Sequence, residues 1–478
     1  MNKKMILLFF GRAIQVLIAV VTIRLLTELL PEQEIGIQYL INSILMWFSL
    51  VLINPVGMFT NRHIHEWKES GELYNYLKQV NVYFLMIAVI SVPVVFVLRN
   101  YFKIGTVVPN LDLLLFVMFY VYFATWFTFL ISYFNLFDRQ KLFVYLNVSS
   151  QVLGLGFAIA SIKLFQPTAI HWMSGLLLGQ IAALLMALML FLKEFPRAQF
   201  AKVPAGPGLF SRYTFLFCFP VAVATLFMWF MNQGYRLMIE RNMGVEVLAS
   251  LGIGLGLAMS LATVVEGITT QYLYPKYYAG LANSDLDSRR SAWKILNQNA
   301  MIVYIPFCLL TVSVSFLMVR VLVARHFDHV VPYVMFGAFI ELLRQLSNIA
   351  YIVAHAEKKT KFTILPYFAG ACALAVLFGL LVYLSQLEIT NVLVCILAAS
   401  GITYAMNLVV VKKLIQVNLD FRVALQSTAI SLPLLLPIFF ISNDSSLPVL
   451  FLSAAVSGGW CLGSIYLLNK KLKRGLTA

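Results

Sequence analysis

The sequence predicts an all-α membrane protein of about 14 transmembrane helices, and three observations lead to that fold class. The chain of 478 residues is 61% hydrophobic and only 12% charged, with a mean hydropathy of +0.86. A soluble domain carries about 25% charged residues, so a soluble core could not bury this much apolar surface. Apolar stretches of about 20 residues, long enough to cross a bilayer, recur from end to end. Lysines and arginines are concentrated in every second segment between these apolar stretches.

The apolar stretches define the predicted helices in order. They lack the period-two alternation of a membrane β-barrel, so helices are expected. We predict spans at 5–27, 35–57, 78–98, 110–134, 142–164, 171–192, 211–233, 247–268, 297–319, 331–354, 361–384, 391–411, 423–442 and 447–468. The five cysteines fall inside apolar stretches without metal-ligand spacing, which indicates core or lipid-facing residues.

The basic residues predict the orientation of the spans. With a cytoplasmic N-terminus, 25 of the 35 lysines and arginines fall in cytoplasmic segments and 7 on the opposite side. The remaining three, Arg12, Arg24 and Arg344, lie within spans. Since positively charged loops stay in the cytoplasm, we expect both termini there. The net charge of +15 then reflects membrane topology rather than nucleic-acid binding.

A proline- and glycine-rich segment at 193–210 divides the predicted spans into six and eight. We expect one six-helix bundle at 1–192 and a second at 211–411, with a helix pair and a basic cytoplasmic tail at 412–478. A short repeat, R-L-[LM]-x-E-x5-E, begins at Arg24 and again at Arg236, at equivalent places in the topology. This favours two bundles related by a parallel pseudo-two-fold axis along the membrane normal.

Four short motifs occur at particular loops of this topology. Residues 24–39 end the first span with Arg-Leu-Leu and open the second after a Pro-Glu turn; the others are 136–141, 274–276 and 354–360. With the layout of the whole chain, they resemble the polysaccharide repeat-unit (O-antigen type, lipid-linked oligosaccharide) flippases of the multidrug/oligosaccharidyl-lipid/polysaccharide exporter superfamily. One departure is Tyr235-Arg236, where many relatives carry Asp-Arg.

The resemblance implies a function as well as a fold. It implies two bundles around a central cavity that work by alternating access. Their substrate would be an undecaprenyl-pyrophosphate-linked oligosaccharide, moved from the inner to the outer leaflet of the bacterial cytoplasmic membrane for surface polysaccharide such as the O-antigen of lipopolysaccharide. The implied partners are this substrate, membrane lipids, and a polysaccharide polymerase with its chain-length machinery. We expect no enzyme activity, no cofactor, no metal and no nucleic acid.

Span ten carries the most informative polar residues. Glu341, Arg344, Gln345 and Asn348 recur at i, i+3, i+4 and i+7, which places them on one helical face. Because charges at mid-membrane usually face a cavity or a partner, we predict that Arg344 and the amides contact the head group, and that Glu341 orients it or carries a coupling proton. The alternative is a Glu–Arg pair with amides that join helices. Glu266, near the predicted end of span eight, is expected at the membrane interface.

Further polar residues complete the predicted head-group site. Arg12 lies a third of the way into span one, and Arg24 and Arg236 lie near the predicted outer ends of spans one and seven. Guanidinium groups bind phosphate oxygens in pairs, so these three suit an anionic head group. Snorkelling toward lipid head groups is the alternative for each. Gln38 and Asn42, four residues apart in span two, either contact sugars or join helices.

Two other function classes stay open. A multidrug/cation antiporter of the same superfamily usually has twelve spans and acidic cavity residues, which fit this chain less well. A membrane polysaccharide polymerase or glycosyltransferase needs catalytic groups on large external loops, whereas segments 99–109 and 234–246 are short and lack paired acids. No phosphate-binding glycine loop is found. The flippase hypothesis predicts that Arg344→Ala abolishes export while the protein still reaches the membrane.

Overall fold

Helices account for all regular secondary structure in the residues that the computed structural model describes. These are residues 3–101, 103, 105–106, 108–199, 208–281, 285–357 and 359–477, without the side chains of 3–10, 12, 13, 198 and 473–477. Contacts between residues divide the chain into two units, Met1–Ala249 and Ser250–Ala478. The division falls after seven helices. It does not locate a pseudo-symmetry axis, so the predicted bundles at 1–192 and 211–411 remain a prediction.

The first unit contains seven long helices. They are α1 (Lys3–Leu29), α2 (Glu32–Ser70), α3 (Leu73–Asn100), α4 (Asn110–Leu136), α5 (Gln140–Leu164), α6 (Ala169–Glu194) and α7 (Arg212–Met243). Large aromatic side chains fill its core, and Phe48, Phe84, Tyr133 and Trp172 are fully buried. Burial of such rings dominates core energetics because each removes a large apolar area from contact with solvent.

The second unit contains the other seven long helices. They are α8 (Val245–Ala279), whose first residues belong to the first unit, α9 (Leu286–Ser313), α10 (Val331–Ala356), α11 (Ile364–Tyr383), α12 (Ile389–Ile415), α13 (Arg422–Phe440) and α14 (Leu447–Thr477). Trp293, Tyr304 and Ile349 are buried in a core cluster formed by residues of α8, α9, α10, α12, α13 and α14. The short helix Ser315–Leu322 joins α9 to α10.

The helices are long and apolar enough for a multi-pass membrane protein. Thirteen of them, α2 to α14, meet both criteria for crossing a membrane. The remaining helix, α1, has 27 residues. The prediction of an all-α protein with about 14 membrane helices is therefore confirmed. The ninth span differs from its predicted limits of 297–319, because the helix breaks at Val314 and the Ser315 hydroxyl bonds to the carbonyl of Val312 at 2.8 Å.

Two helices of the first unit contain a π-helical turn. In α2 it covers Phe48–Ile53 and is followed at once by Asn54 and Pro55. Proline has no backbone N–H and its ring crowds the preceding turn, which disturbs the regular hydrogen-bond ladder. The Tyr83 hydroxyl donates to the carbonyl of Leu52 within this turn at 2.8 Å. The second π-helical turn, Phe230–Gly234, lies in α7.

Glycines allow α5 and α6 to pack in direct backbone contact. A Cβ built on Gly179 would lie 2.1 Å from the backbone nitrogen of Gly154, and one on Gly175 would lie 2.3 Å from the Cα of Ala158. Gly175 and Gly179 form the GxxxG spacing that brings membrane helices together. By contrast, a Cβ on Gly156 of α5 would meet nothing within 4 Å.

Helix α9 begins outside the apolar part of its span with a side-chain cap. Asp285 Oδ1 accepts a hydrogen bond from the backbone N–H of Ser288 at 3.0 Å. Hydrogen bonds from the side chain and backbone of Ser288 hold the pKa of the Asp285 carboxyl below its usual value. An aspartate at this position satisfies a free N–H group of the first helical turn, which explains why α9 starts there.

Candidate functional site

A buried ionic network joins α8 and α10. Arg344 donates from Nε to Glu341 Oε2 on its own helix at 2.6 Å, and from Nη2 to Glu266 Oε2 on α8 at 3.0 Å. The side chains of Arg344, Glu266 and Glu341 are 22%, 16% and 10% exposed. One guanidinium therefore binds two carboxylates on neighbouring helices, and this part of the second unit is its main polar centre.

The two amides on the same face of α10 also bind α8. Asn348 Nδ2 donates to Glu266 Oε1 at 2.6 Å, and Gln345 Nε2 donates to the carbonyl of Ala262 at 2.7 Å. The four polar residues that share a face in the sequence thus meet one stretch of α8. These contacts are the helix-joining kind that the alternative interpretation describes. The assignment of the α10 residues to a head group stays a prediction.

The charge of the network determines which ions it favours. Two carboxylates and one guanidinium give a formal charge of −1 at a partly buried position. Because two of the arginine's nitrogens already bind carboxylates, an added phosphate would face two negative groups at close range. A proton or a metal cation would instead balance the excess charge. The network thus suits cation binding better than anion binding.

Helix length explains how Glu266 reaches this position. The predicted span ended at 268, but α8 continues to Ala279, about 20 Å beyond Glu266 at 1.5 Å per residue. Glu341 lies about 15 Å after the start of α10 at Val331. Both carboxylates are thus far from the ends of their helices. The sequence places Glu266 at the membrane interface and outside the predicted site, because the polar continuation of α8 obscures where the helix ends.

The arginines of α1 have separate environments. Arg24 Nη2 lies 2.5 Å from Glu28 Oε1 one turn later, with 33% and 43% of the two side chains exposed. An exposed i, i+4 pair of this kind contributes little to stability, about 0.3–0.5 kcal/mol. The side chain of Arg12 falls outside the described part of the structure, so its predicted role has no structural account.

Arg236, the counterpart of Arg24 in the sequence repeat, is held differently. It is 7% exposed, and its guanidinium carbon lies 5.1 Å from the ring centre of Tyr39 on α2, a cation–π distance. Its Nε is buried and forms no hydrogen bond within the described residues. Glu240, the equivalent of Glu28, accepts instead from the backbone N–H of Gly105 at 3.3 Å. The repeat therefore conserves residue types but not their contacts.

Helix α7 is fixed against α2 next to Arg236. Trp229 Nε1 donates to the carbonyl of Ser43 at 2.8 Å. The Ser43 hydroxyl donates to the carbonyl of Tyr39 at 2.8 Å and lies 3.4 Å from Gln233 Oε1. Trp229, Ser43 and Gln233 are at most 8% exposed. These contacts hold the π-helical part of α7 against α2.

A cavity of about 350 Å³ opens beside α2 in the first unit. Its α2 side carries the polar side chains of Asn42, Ser49, Asn54 and Asn61. Asn42 thus lines a cavity, and its contact with a sugar stays a prediction. Gln38, one turn earlier, is not among the lining residues, and its Oε1 is buried without a hydrogen-bond partner in the described structure.

Helix α4 forms the opposite wall of the same cavity. Its polar lining consists of the hydroxyl-bearing residues Tyr120, Thr125, Thr128 and Ser132, and Phe129 contributes an aromatic ring. The hydroxyls of Thr128 and Ser132 donate to carbonyls four residues earlier, which leaves their oxygen lone pairs free to accept. Every polar group that lines the cavity is uncharged.

Potential metal-ligand side chains do not cluster in the described part of the structure. Among the described residues, no three histidine, cysteine, aspartate or glutamate side chains lie together as a metal site would require. All five cysteines are free, and Cys372 is the exposed one. The candidate functional groups are therefore the α8–α10 network, Arg236 and the uncharged cavity.

Comparisons with known proteins place the fold. No protein-family model and no curated protein matches the sequence. Among solved structures, the lipid II flippase MurJ in an inward closed conformation matches with a TM-score of 0.71 at 13% identity, over 99% of both chains.

Two transporter structures match less completely. The eukaryotic MATE transporter AtDTX14 has a TM-score of 0.53 at 13% identity, over 86% of this chain and 95% of its own. A multidrug resistance MATE transporter of the MOP superfamily, in an outward-facing conformation, has a TM-score of 0.52 at 12% identity, over 86% and 94%. Identities this low show the fold alone. The chain therefore has, over nearly its whole length, the fold shared by a lipid II flippase and MATE transporters.

Proposed function

We propose that this protein is a flippase that moves undecaprenyl-pyrophosphate-linked oligosaccharide repeat units from the inner to the outer leaflet of the bacterial cytoplasmic membrane. The observation that carries the proposal is the match to a lipid II flippase over 99% of both chains, against 86% of this chain for the MATE transporters. Four sequence motifs also resemble those of the flippases of surface-polysaccharide biosynthesis. They lie at 24–39, 136–141, 274–276 and 354–360. The flippase works by alternating access.

Arg236 is the arginine best suited to the pyrophosphate head group. Its guanidinium is nearly buried, rests over Tyr39 and keeps an unpaired Nε, whereas Arg24 and Arg344 are already bound to carboxylates. A buried donor without a partner costs free energy that an incoming phosphate oxygen would recover. Arg12 and Arg24 then assist rather than anchor the head group, whereas Arg344 belongs to the α8–α10 network.

The α8–α10 network supports a coupling role in this proposal. Its formal charge of −1 attracts a proton or a sodium ion, and it joins two helices that would shift against each other during transport. In this scheme Glu341 and Glu266 exchange the cation, and Arg344 fixes the distance between them. The amides of Gln345 and Asn348 keep the two helices in register.

The proposed location follows from charge and fold. The split of basic residues between loops supports a multi-pass protein of the bacterial inner membrane with both termini in the cytoplasm. The substrate arrives from the cytoplasmic leaflet, and a polysaccharide polymerase with its chain-length machinery would use it on the other side. Membrane lipids surround the isoprenoid tail throughout.

The test combines gene deletion with a leaflet assay of lipid-linked sugars. Deletion should leave complete lipid-linked repeat units on the inner leaflet and abolish the surface polymer. Expression of the wild type or of Arg241→Ala, a change at an exposed arginine on the same helix, should restore export. Arg236→Ala should lower export at least tenfold at equal membrane abundance. Outer-leaflet units that stay unpolymerised in the deletion strain would contradict the proposal and favour a polymerase.

A cation-coupled multidrug exporter is the second candidate. It is favoured by one observation, the pairing of Glu266 and Glu341 around a single guanidinium, because acidic groups suit cationic drugs. In that case deletion would raise sensitivity to lipophilic cations and leave the lipid-linked sugars unchanged. The same deletion strain therefore separates the two candidates.

A further inference from the structure

We propose that the cavity between α2 and α4 is a binding site for an uncharged sugar unit of the transported oligosaccharide. The inference rests on the proposed function and adds the chemical class of the part of the substrate that the first unit recognises. The cavity, of about 350 Å³, is at the small end of ligand pockets, which span about 300–1,000 Å³. It has room for a small part of an oligosaccharide.

The α2 wall presents uncharged polar groups to the cavity. The side-chain amides of Asn42, Asn54 and Asn61 and the hydroxyl of Ser49 form no hydrogen bond with any residue that the structure describes. Each amide offers two donors and one acceptor. Asn42 and Asn54 are half-buried and Ser49 and Asn61 are exposed, so solvent or a ligand in the cavity can satisfy their polar groups. Four such groups around one cavity are ready to bind a molecule rich in hydroxyl groups.

The π-helical turn of α2 places these groups on one line. In a regular α-helix each residue turns the chain by about 100°, so Asn54 and Asn61 would lie about 120° and about 100° around α2 from Asn42. A π-helical turn contains one additional residue, which sets all later residues back by about 100°. With the turn at Phe48–Ile53, the side chains of Ser49, Asn54 and Asn61 each lie within about 20° of Asn42 around the helix.

The remaining lining excludes other ligand classes. A phosphate needs a cation or a cluster of backbone N–H groups, and a cationic drug needs a carboxylate, but all the lining residues are uncharged. Tyr120 and Phe129 add aromatic rings, which can cover the apolar C–H face of a sugar ring. Gly57 lies close to the Phe129 ring, since a Cβ there would be in van der Waals contact with it at 3.4 Å. Hydroxyl acceptors, amides and aromatic rings together fit a neutral sugar.

The experiment measures protection of a cysteine placed in the cavity. The full-length protein is purified in lipid nanodiscs as a variant that keeps Cys372 as its only native cysteine and carries Asn61→Cys. Asn61 is exposed, so this change should fold. The probes are methyl glycosides of glucose, galactose, rhamnose and N-acetylglucosamine, with methyl glucuronide and inorganic pyrophosphate as charged counterparts. Labelling of both cysteines by a small thiol reagent is followed with time.

At least one neutral glycoside should slow the labelling of Asn61→Cys fivefold or more, while Cys372 reacts at an unchanged rate. Asn54→Ala in the same background should weaken that protection at least threefold, and the charged probes should protect poorly. Labelling that no neutral glycoside slows would overturn the inference, as would equal protection by glucuronide or pyrophosphate. Protection in a protein that does not flip lipid-linked sugars would refute the proposed function and leave the sugar site standing.

Discussion

Removal of Arg344 tests the physical account of the α8–α10 network. In Arg344→Ala, the carboxylates of Glu266 and Glu341 lose the guanidinium that binds them at 3.0 and 2.6 Å. Breaking a buried ion pair by deleting one partner costs about 3–5 kcal/mol, because a buried charge is left uncompensated. The side chains are 10–22% exposed, so we expect the lower end, about 3 kcal/mol, or roughly a hundredfold in the folding equilibrium.

Two variants provide the comparison. Arg320→Ala breaks the pair with Asp328, a 3.2 Å contact with 24% and 27% of the side chains exposed, and should cost about 0–1 kcal/mol. The combination of Arg344→Met, Glu266→Gln and Glu341→Gln makes the network neutral. It should recover most of the stability that Arg344→Ala loses, because no unpaired charge remains. It also separates folding from export, since a well-folded neutral variant without export would show that the charges serve transport.

The assay is the fraction of detergent-solubilised protein that stays monodisperse after heating for a fixed time, measured by size-exclusion chromatography. Membrane proteins often unfold irreversibly, so variants are compared at one heating time. Arg344→Ala should lose half of its monodisperse fraction at a clearly lower temperature than Arg320→Ala. The reasoning is refuted if the two variants coincide, or if the neutral variant is no more stable than Arg344→Ala.

Three further predictions concern the scaffold. Gly179→Val should sharply reduce folded protein because its side chain would overlap the α5 backbone, whereas Gly156→Val, in open space, should leave the yield in the same size-exclusion assay unchanged. Glu34→Gln should lower stability by about 1–2 kcal/mol, because Glu34 Oε2 accepts from the buried N–H of Ala169 at the start of α6 at 2.6 Å; unchanged thermal stability would contradict this. The lowered pKa of Asp285 also makes a prediction about pH. The stabilisation of α9 by this N-terminal cap should be fully present at pH values above the usual carboxyl pKa, and it should be lost as the pH falls through the lowered pKa of Asp285. Protection from hydrogen exchange in the first turn of α9 should decline only in that acidic range, and loss near neutral pH would refute the assignment.

The positions of the helices could be predicted because an apolar stretch of sufficient length has few alternatives in a membrane. The predicted spans 110–134 and 171–192 fall within α4 (Asn110–Leu136) and α6 (Ala169–Glu194). Helix ends were harder to predict where a helix leaves the apolar region. Helix α2 continues to Ser70 and α8 to Ala279, beyond the predicted ends at 57 and 268, since backbone hydrogen bonds persist after hydropathy falls.

The candidate sites could be predicted only in part. A regular period of 3.6 placed Glu341, Arg344, Gln345 and Asn348 on one face, and α10 keeps that period. Sequence alone gave no reason to pair them with Glu266, because contacts between helices depend on how the helices pack. The uncharged cavity escaped prediction because its residues share a face only after a π-helical turn. Proline after Asn54 is the one sequence signal that could have indicated an irregular turn.

The π-helical turn of α2 also makes an evolutionary prediction. Substitutions along α2 change one side chain at a time, but the turn adds a residue to the helix. A deletion of one residue within Phe48–Ile53 would restore a regular helix in which Asn54 and Asn61 still lie within about 20° of Asn42, because the loss of the residue and the loss of the turn cancel. A deletion elsewhere between Asn42 and Asn61 that leaves the turn intact would instead rotate Asn61 by about 100° away from Asn42. Relatives that share this cavity should therefore either keep the turn or lack one residue at it, and a relative shortened elsewhere in this segment should recognise a different substrate.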